Sequence, residues 1–146
     1  MIDWDSRETW LKLIPHKSQV RFALFCVRQV SALWECDAPS VNTILLIEKW
    51  LEGKATQKEC RAAAYYSIYS VVYNAAYIVD VDYDPSIVLS VNIAANSATH
   101  ASKDVFHFSN DSAESQKQEQ VEYLRELYLE TLPEEHRNSW LVQACL

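Results

Sequence analysis

The sequence predicts a single all-α domain over residues 1–146, built as a bundle of about six to seven helices. The chain has only one glycine, and sheets joined by tight turns need glycine for positive φ angles. Apolar residues recur at helical spacing along most of the chain. Apolar residues make up 49% of the chain and charged residues 23%, which is typical of a globular domain of this size.

The first half of the chain divides into three predicted helices. The first begins within residues 3–5 and ends before Pro15. The second covers about 18–34, where apolar side chains follow helical spacing. The third follows residues 39–40 and ends at Gly53, the residue type expected just past the end of a helix.

The next two predicted helices form the centre of the bundle as an alanine- and tyrosine-rich antiparallel pair. Thr56 and Glu59 have the spacing of a capping box, which opens a fourth helix that runs to about Val79. Its inner face is Ala64, Ile68, Val71, Ala75 and Val79, and its opposite face is Tyr66, Tyr69, Tyr73 and Tyr77. The fifth helix extends from Pro85 to about 103–106 and carries a stripe of small residues: Ser90, Ala94, Ser97 and Ala101.

A sixth predicted helix follows the polar residues 109–115 and ends near Leu132, and Pro133 opens a short last one. Its apolar stripe is Val121, Leu124, Tyr128 and Leu132. On the far side, four glutamates spaced by three or four residues fall into one row: Glu119, Glu122, Glu126 and Glu130. Arg125 points toward the apolar edge and is poorly placed to neutralise them. The row is either a solvated face that promotes solubility or a docking surface for a basic protein.

Net charge is unevenly distributed along the chain. The formal charge is −7, and residues 80–135 alone hold twelve acids against three bases. A negative half repels phosphate backbones, so nucleic-acid binding by that half is not expected.

The uncharged runs 62–79 and 85–102 contain too many tyrosines, asparagines and hydroxyl residues for a membrane span. Four cysteines at unrelated spacings and a start without a secretory signal favour the cytoplasm.

No pattern in the sequence predicts a metal site, a cofactor or catalysis, and we expect no enzymatic activity. Asp80, Asp82 and Asp84 resemble the opening of a calcium loop, but Pro85 and Val91 stand where glycine and glutamate are required. A solvated interhelical turn is the better interpretation. The histidines lack the spacing of metal ligands and are not expected to act as ligands or bases: His16, His100, His107 and His136.

Four segments carry a resemblance to the small immunity proteins of bacterial polymorphic-toxin systems. The specific one is residues 15–26, Pro-His-Lys-Ser-Gln-Val-Arg-Phe-Ala-Leu-Phe-Cys, which resembles the opening motif of that family. Residues 47–55 resemble its helix end, with a tryptophan and a small-residue stop. Residues 61–64 and 92–102 resemble its alanine-rich central pair, and residues 120–137 its closing helix and turn. The link at 36–40 lacks the basic residues of the family pattern.

The resemblance implies a cytoplasmic protein that neutralises a cognate toxin domain by direct protein contact. The acidic C-terminal half is the expected interface for a basic toxin domain. Candidate contact residues are Glu119, Glu122, Glu126, Glu130, Asp80, Asp82, Asp84 and Trp140. The alternative function is a helical adaptor or small-ligand-binding domain that uses the tyrosine face of the fourth helix. Core or half-buried packing is the more common role of such a stripe, and it is the interpretation that we favour for this face.

Overall fold

A computed structural model of the protein describes residues 2–80, 95–96 and 110–132, and within these residues every regular element is a helix. The predicted all-α fold is therefore confirmed. The helices α1 to α7 are, in chain order, Arg7–Leu11, His16–Arg28, Ser31–Trp34, Ala38–Leu51, Gln57–Ala64, Ser70–Asp80 and Asn110–Glu130. Residues 95–96 are helical as well. The small-residue stripe predicted for the fifth helix and the last short helix lie outside the described residues.

Helix α2 is the centre of the described bundle. It packs against α6 on one side and α7 on another, and α1 packs on α7 while α4 and α5 pack with α6. Eight of its residues are buried, so helices cover it on more than one face. Phe22, Val20 and Val27 are fully buried, and burying each such side chain contributes about 1.5–3 kcal/mol.

The second predicted helix is divided in two, which corrects the single span proposed over residues 18–34. Helix α2 ends at Arg28, and Val30 leaves the helical region with φ −119° and ψ 31°. The chain then folds back into α3, where the Trp34 indole donates to the Val27 carbonyl oxygen over 2.9 Å. The Val27 carbonyl oxygen also accepts from the Val30 N–H over 3.1 Å, so both bonds hold the chain at the end of α2.

The fourth predicted helix is also divided, because residues 65–69 form a turn between α5 and α6. The Ser67 hydroxyl accepts from the Tyr69 backbone N–H over 3.3 Å and lies 2.6 Å from the Ser40 hydroxyl on α4. A serine bonded in this way offers the backbone an alternative to the helix. The assignment of Ile68 to the inner face was wrong, since its side chain is exposed. The inner positions Ala64, Val71, Ala75 and Val79 are buried as predicted.

The other helix ends follow local signals. The capping box is present, with Glu59 N–H donating to the Thr56 hydroxyl over 3.1 Å and Thr56 N–H donating to the Glu59 carboxylate over 3.2 Å. Asp37 accepts from the Ser40 N–H and caps α4. Helix α7 begins at Asn110, earlier than predicted, and includes the polar residues 110–115 that were expected to precede it.

We expect Gly53→Ala to lower the free energy of unfolding by about 1 kcal/mol, because an L-residue is strained at positive φ. Gly53 has φ 77°, and no atom lies within 4 Å of an added Cβ, so the cost comes from the backbone alone. Gly53→Asn should cost less, since asparagine tolerates this region. Urea unfolding followed by circular dichroism measures both. Equal stability of the glycine and alanine proteins would contradict a positive φ angle at residue 53.

Candidate functional site

The candidate site is the outer face of α7, whose inner face holds it on the bundle. Leu124, Leu127 and Gln120 are buried on the inner face. Tyr123 stacks on Phe25 of α2 with ring centroids 4.4 Å apart and planes 9° from parallel. Burial against α2 raises the pKa of the Tyr123 hydroxyl. The stack fixes the rotation of α7 about its axis, and therefore which residues face outward.

The four predicted glutamates are all exposed on α7, and we call them the glutamate row: Glu119, Glu122, Glu126 and Glu130. The two end members contact α2. Glu130 pairs with Arg21 over 2.8 Å, and Glu119 accepts from the Gln29 amide over 3.3 Å. The hydrogen bond to Glu130 is the main cause that raises the pKa of Arg21. An exposed ion pair of this kind contributes little to stability, typically about 0.2–1 kcal/mol.

The two central members, Glu122 and Glu126, have no hydrogen bond or ion pair with any residue in the described part of the chain. The cation nearest to them in sequence is Arg125. Its guanidinium carbon lies 5.7 Å from the centroid of the Trp10 ring, and Arg125 forms no ion pair with either glutamate. The predicted placement of Arg125 at the apolar edge is confirmed. Within the described residues, therefore, no base forms an ion pair with the centre of the row.

A groove of about 570 Å³ lies beside the row, between the N-terminal segment and α7. Its walls carry acids and bases together: Asp5, Glu114, Lys117, Gln118, Val121, Glu122 and Arg125. Lys117 is paired with Glu114 over 3.7 Å, one turn along the same helix. Glu122 belongs to both the row and the groove wall, so the groove opens beside the centre of the row.

Behind the row lies a polar network that sequence reasoning missed. Half-buried Arg7 donates to the side-chain oxygens of Gln120, over 2.9 Å, and Asn96, over 2.5 Å. Gln120 donates to Gln29, and Gln29 donates in turn to Glu119. Burial lowers the pKa of Arg7. The available signal was Gln120 itself, a polar residue at an inward position of α7 that had to have partners once buried.

The other titratable candidates have structural contacts. His16 bonds the Ile78 carbonyl oxygen through Nε2 over 2.7 Å and meets the Trp50 ring edge-on. Cys26 and Cys60 are free and buried, and burial raises the pKa of both thiols, that of Cys60 to about 11. Thiols shifted in that direction stay protonated near neutral pH and are weak nucleophiles. Within the described ranges, no three acidic, histidine or cysteine side chains are grouped to hold a metal ion.

The tyrosines of the fourth predicted helix are mostly on the surface. Tyr66, Tyr73 and Tyr77 are exposed, and Tyr69 is partly buried against the core. The predicted tyrosine face is therefore not buried in the core. A ligand pocket encloses most of its ligand, whereas these rings lie open to solvent.

Most of the other candidate residues named from the sequence lie outside the described part of the chain. Asp80 ends α6. Asp82, Asp84 and Trp140 lie outside the described residues, as do His100, His107 and His136. Of the eight candidate contact residues, the structure brings together the four glutamates. Among the residues that it describes, no helix is both long and apolar enough to cross a membrane.

Comparison of the chain with protein families, curated proteins and solved structures gives no significant match. The site is therefore described by its own geometry: a row of glutamates on one helix, bonded at its two ends to Arg21 of α2 and to Gln29 just after α2, and with no ion pair from a described residue at its centre.

Proposed function

We propose that this protein is an immunity-type inhibitor that binds a basic toxin domain through the outer face of α7. The observation that carries the proposal is the pair Glu122 and Glu126, exposed and without an ion pair among the described residues. The resemblance of residues 15–26 to the opening motif of small immunity proteins supports the same role. An inhibitor of this kind performs no chemistry and needs only a rigid surface with complementary charge.

The electrostatics of the row support rapid binding of a cationic partner. Like charges three or four residues apart destabilise a helix by roughly 0.2–0.5 kcal/mol per pair, so the row costs stability in the free protein. A lysine or arginine from the partner placed between Glu122 and Glu126 relieves that repulsion. An arginine can also bond a carboxylate through two parallel N–H donors. The negative field around the row speeds the encounter and disfavours acidic partners.

The partner can be sought in the reading frame next to the gene. A large secreted protein with a variable C-terminal domain is expected there, and that domain should copurify with the chain. Expressing the domain alone should arrest growth of the host cell, and coexpression with this protein should restore growth. Growth arrest that persists in the presence of a folded, well-expressed chain would contradict the inhibitor role.

The variant Glu122→Lys/Glu126→Lys tests the surface itself. Losing the attractive field should slow association with the toxin domain by about 100-fold at low salt, measured by stopped-flow or surface plasmon resonance. The same change turns two like-charge pairs, with Glu119 and with Glu130, into opposite pairs. The free energy of unfolding should therefore rise by about 0.5–1 kcal/mol. If the variant binds more weakly although its fold is more stable, then Glu122 and Glu126 act by contacting the partner and not by supporting the fold.

The matched control is Glu35→Lys/Glu52→Lys, which reverses two exposed glutamates just after α3 and α4. Both double variants bring the net charge from −7 to −3, so a general charge effect would appear equally in each. We expect the control to associate within about threefold of the wild type. Equal association rates for the two double variants would show that the glutamate row is not part of the interface.

A further inference from the structure

A second surface, made of aromatic and aliphatic side chains, lies at the junction of α5 and α6. We call it the tyrosine patch, and it comprises Tyr65, Tyr66, Ile68, Tyr73 and Tyr77. Each of these side chains is between 40% and 77% exposed. Single exposed apolar residues are ordinary on protein surfaces, but a contiguous group this large marks an interaction site.

The tyrosine patch is joined by a ring contact between α5 and α6. The rings of Tyr65 and Tyr73 meet at an angle of 63° with centroids 6.4 Å apart, which joins the end of α5 to α6. Tyr73 and Tyr77 are four residues apart on α6 and therefore share its outer face. The turn at residues 65–69 adds Tyr66 and Ile68 to the same corner. The break in the predicted helix thus creates the patch, because a continuous helix would have turned Ile68 inward.

The tyrosine patch carries no charge of its own in a chain whose formal charge is −7. No Asp, Glu, Lys or Arg occurs in residues 62–79, and Arg61 precedes them. Because α2 packs against α6 on one side and α7 on another, the patch is separated from the glutamate row by the central helix. Two copies of the chain can therefore approach through this corner with their glutamate rows apart.

The area of the patch suits contact with an equal surface. With about 200 Å² for an aromatic side chain, the exposed parts of the five residues add to roughly 600 Å² per copy. Two copies together would bury roughly 1,200 Å², the lower bound of specific, stable interfaces. Tyrosine is well suited to such a contact, since its ring packs while its hydroxyl finds a hydrogen-bond partner or water at the rim.

We propose that two copies of this protein associate through the tyrosine patch as a twofold-symmetric dimer. A patch that meets its own copy forms an isologous contact, so each turn at residues 65–69 faces the other near the axis. The modest area makes the dimer reversible. Both glutamate rows remain outside the contact, and the dimer does not depend on the function proposed for the row.

Sedimentation velocity on the full chain tests the dimer, from about 1 µM to about 1 mM. We expect a monomer–dimer equilibrium that shifts toward dimer when salt rises from about 50 mM to about 500 mM, because salt screens repulsion between the acidic copies. Binding through the glutamate row should weaken over the same range of salt. The opposite salt responses keep the two surfaces distinguishable.

The variant Ile68→Asp places a negative charge next to the same charge in the other copy, near the twofold axis of the dimer. It should raise the dimer dissociation constant by at least about tenfold. Leu13→Asp is the matched control, since Leu13 is also an exposed aliphatic residue in a turn but lies next to α1. It should change the dissociation constant by less than about twofold. Circular dichroism checks the fold of each, and Tyr66→Ser repeats the test without adding charge.

A chain that stays monomeric over the whole range overturns the proposal, as does a dimer that is equally tight in Ile68→Asp and Tyr66→Ser. If the chain is monomeric and Ile68→Asp weakens its complex with the toxin domain, the tyrosine patch binds the toxin domain instead, which would also overturn the dimer. Glu122→Lys/Glu126→Lys should dimerise at least as readily as the wild type, so a failure of the proposed inhibitor function leaves the dimer result unaffected.

Discussion

Replacing Trp10 by alanine is expected to lower the free energy of unfolding by about 3–5 kcal/mol, the usual cost of truncating a large buried aromatic side chain. Trp10 is fully buried on α1, and its indole donates to the Trp4 carbonyl oxygen over 2.7 Å. The Trp4 and Tyr128 rings pack on it at 5.0 Å and 5.9 Å, and Arg125 lies over its face. Removing the ring leaves a cavity at the junction of α1 and α7.

Urea unfolding of Trp10→Ala and Trp10→Phe separates the contributions to this cost. Phenylalanine keeps an aromatic face for Arg125 and most of the volume but lacks the indole N–H, so its cost should be only about 1–2 kcal/mol. A loss below about 1 kcal/mol for the alanine variant would mean that α1 is not part of the cooperative core. If the outer face of α7 is the binding surface, as proposed, the alanine variant should also bind its partner more weakly, because α1 packs on α7.

The second large effect is expected at Gln120, which is fully buried between Arg7 and Gln29. Gln120→Leu should lower the free energy of unfolding by about 2–4 kcal/mol, although leucine is apolar and similar in size. The guanidinium loses a charge-assisted hydrogen bond, and the Gln29 amide oxygen loses its donor. Leaving one partner of a buried polar pair costs more than removing both.

A double-mutant cycle with Arg7→Met provides the decisive comparison. We expect the double variant to be more stable than the sum of the two single losses predicts, by about 0.5–3 kcal/mol, since neither partner is then left behind. Additive losses would show that the two side chains act independently and that the network contributes only through volume. Chemical denaturation of the four proteins under one condition supplies every value that the cycle needs.

What could be predicted from the sequence depended on how local each signal is. The capping box at Thr56 and Glu59 and the stop at Gly53 involve residues within one turn, and both are present. The row on α7 follows from helical spacing alone. The break at residues 65–69 combines a local bond, from the Tyr69 N–H to the Ser67 hydroxyl, with a contact between Ser67 and Ser40, 27 residues apart, which no local pattern contains.

The candidate site was predictable to the same extent. Spacing placed the four glutamates on one face, but it did not distinguish the end members from the central pair. That distinction depends on Arg21 and Gln29, which reach α7 from about 90 to 110 residues away in sequence. The network from Arg7 through Gln120 to Gln29 also joins distant segments. A single sequence predicts that a buried glutamine needs partners, but not which partners.

Because, among the described residues, only the two end members of the glutamate row bond to other helices or turns, the central two positions can be substituted more freely during evolution. Changing Glu119 or Glu130 disturbs a bond to Gln29 or to Arg21, whereas Glu122 and Glu126 form no hydrogen bond or ion pair with a described residue. If α7 is the binding surface, a lineage could switch to a new toxin by substitutions at these two positions while the bundle stays the same. Related chains that recognise different toxins should then diverge first at positions 122 and 126 and last at Gln120.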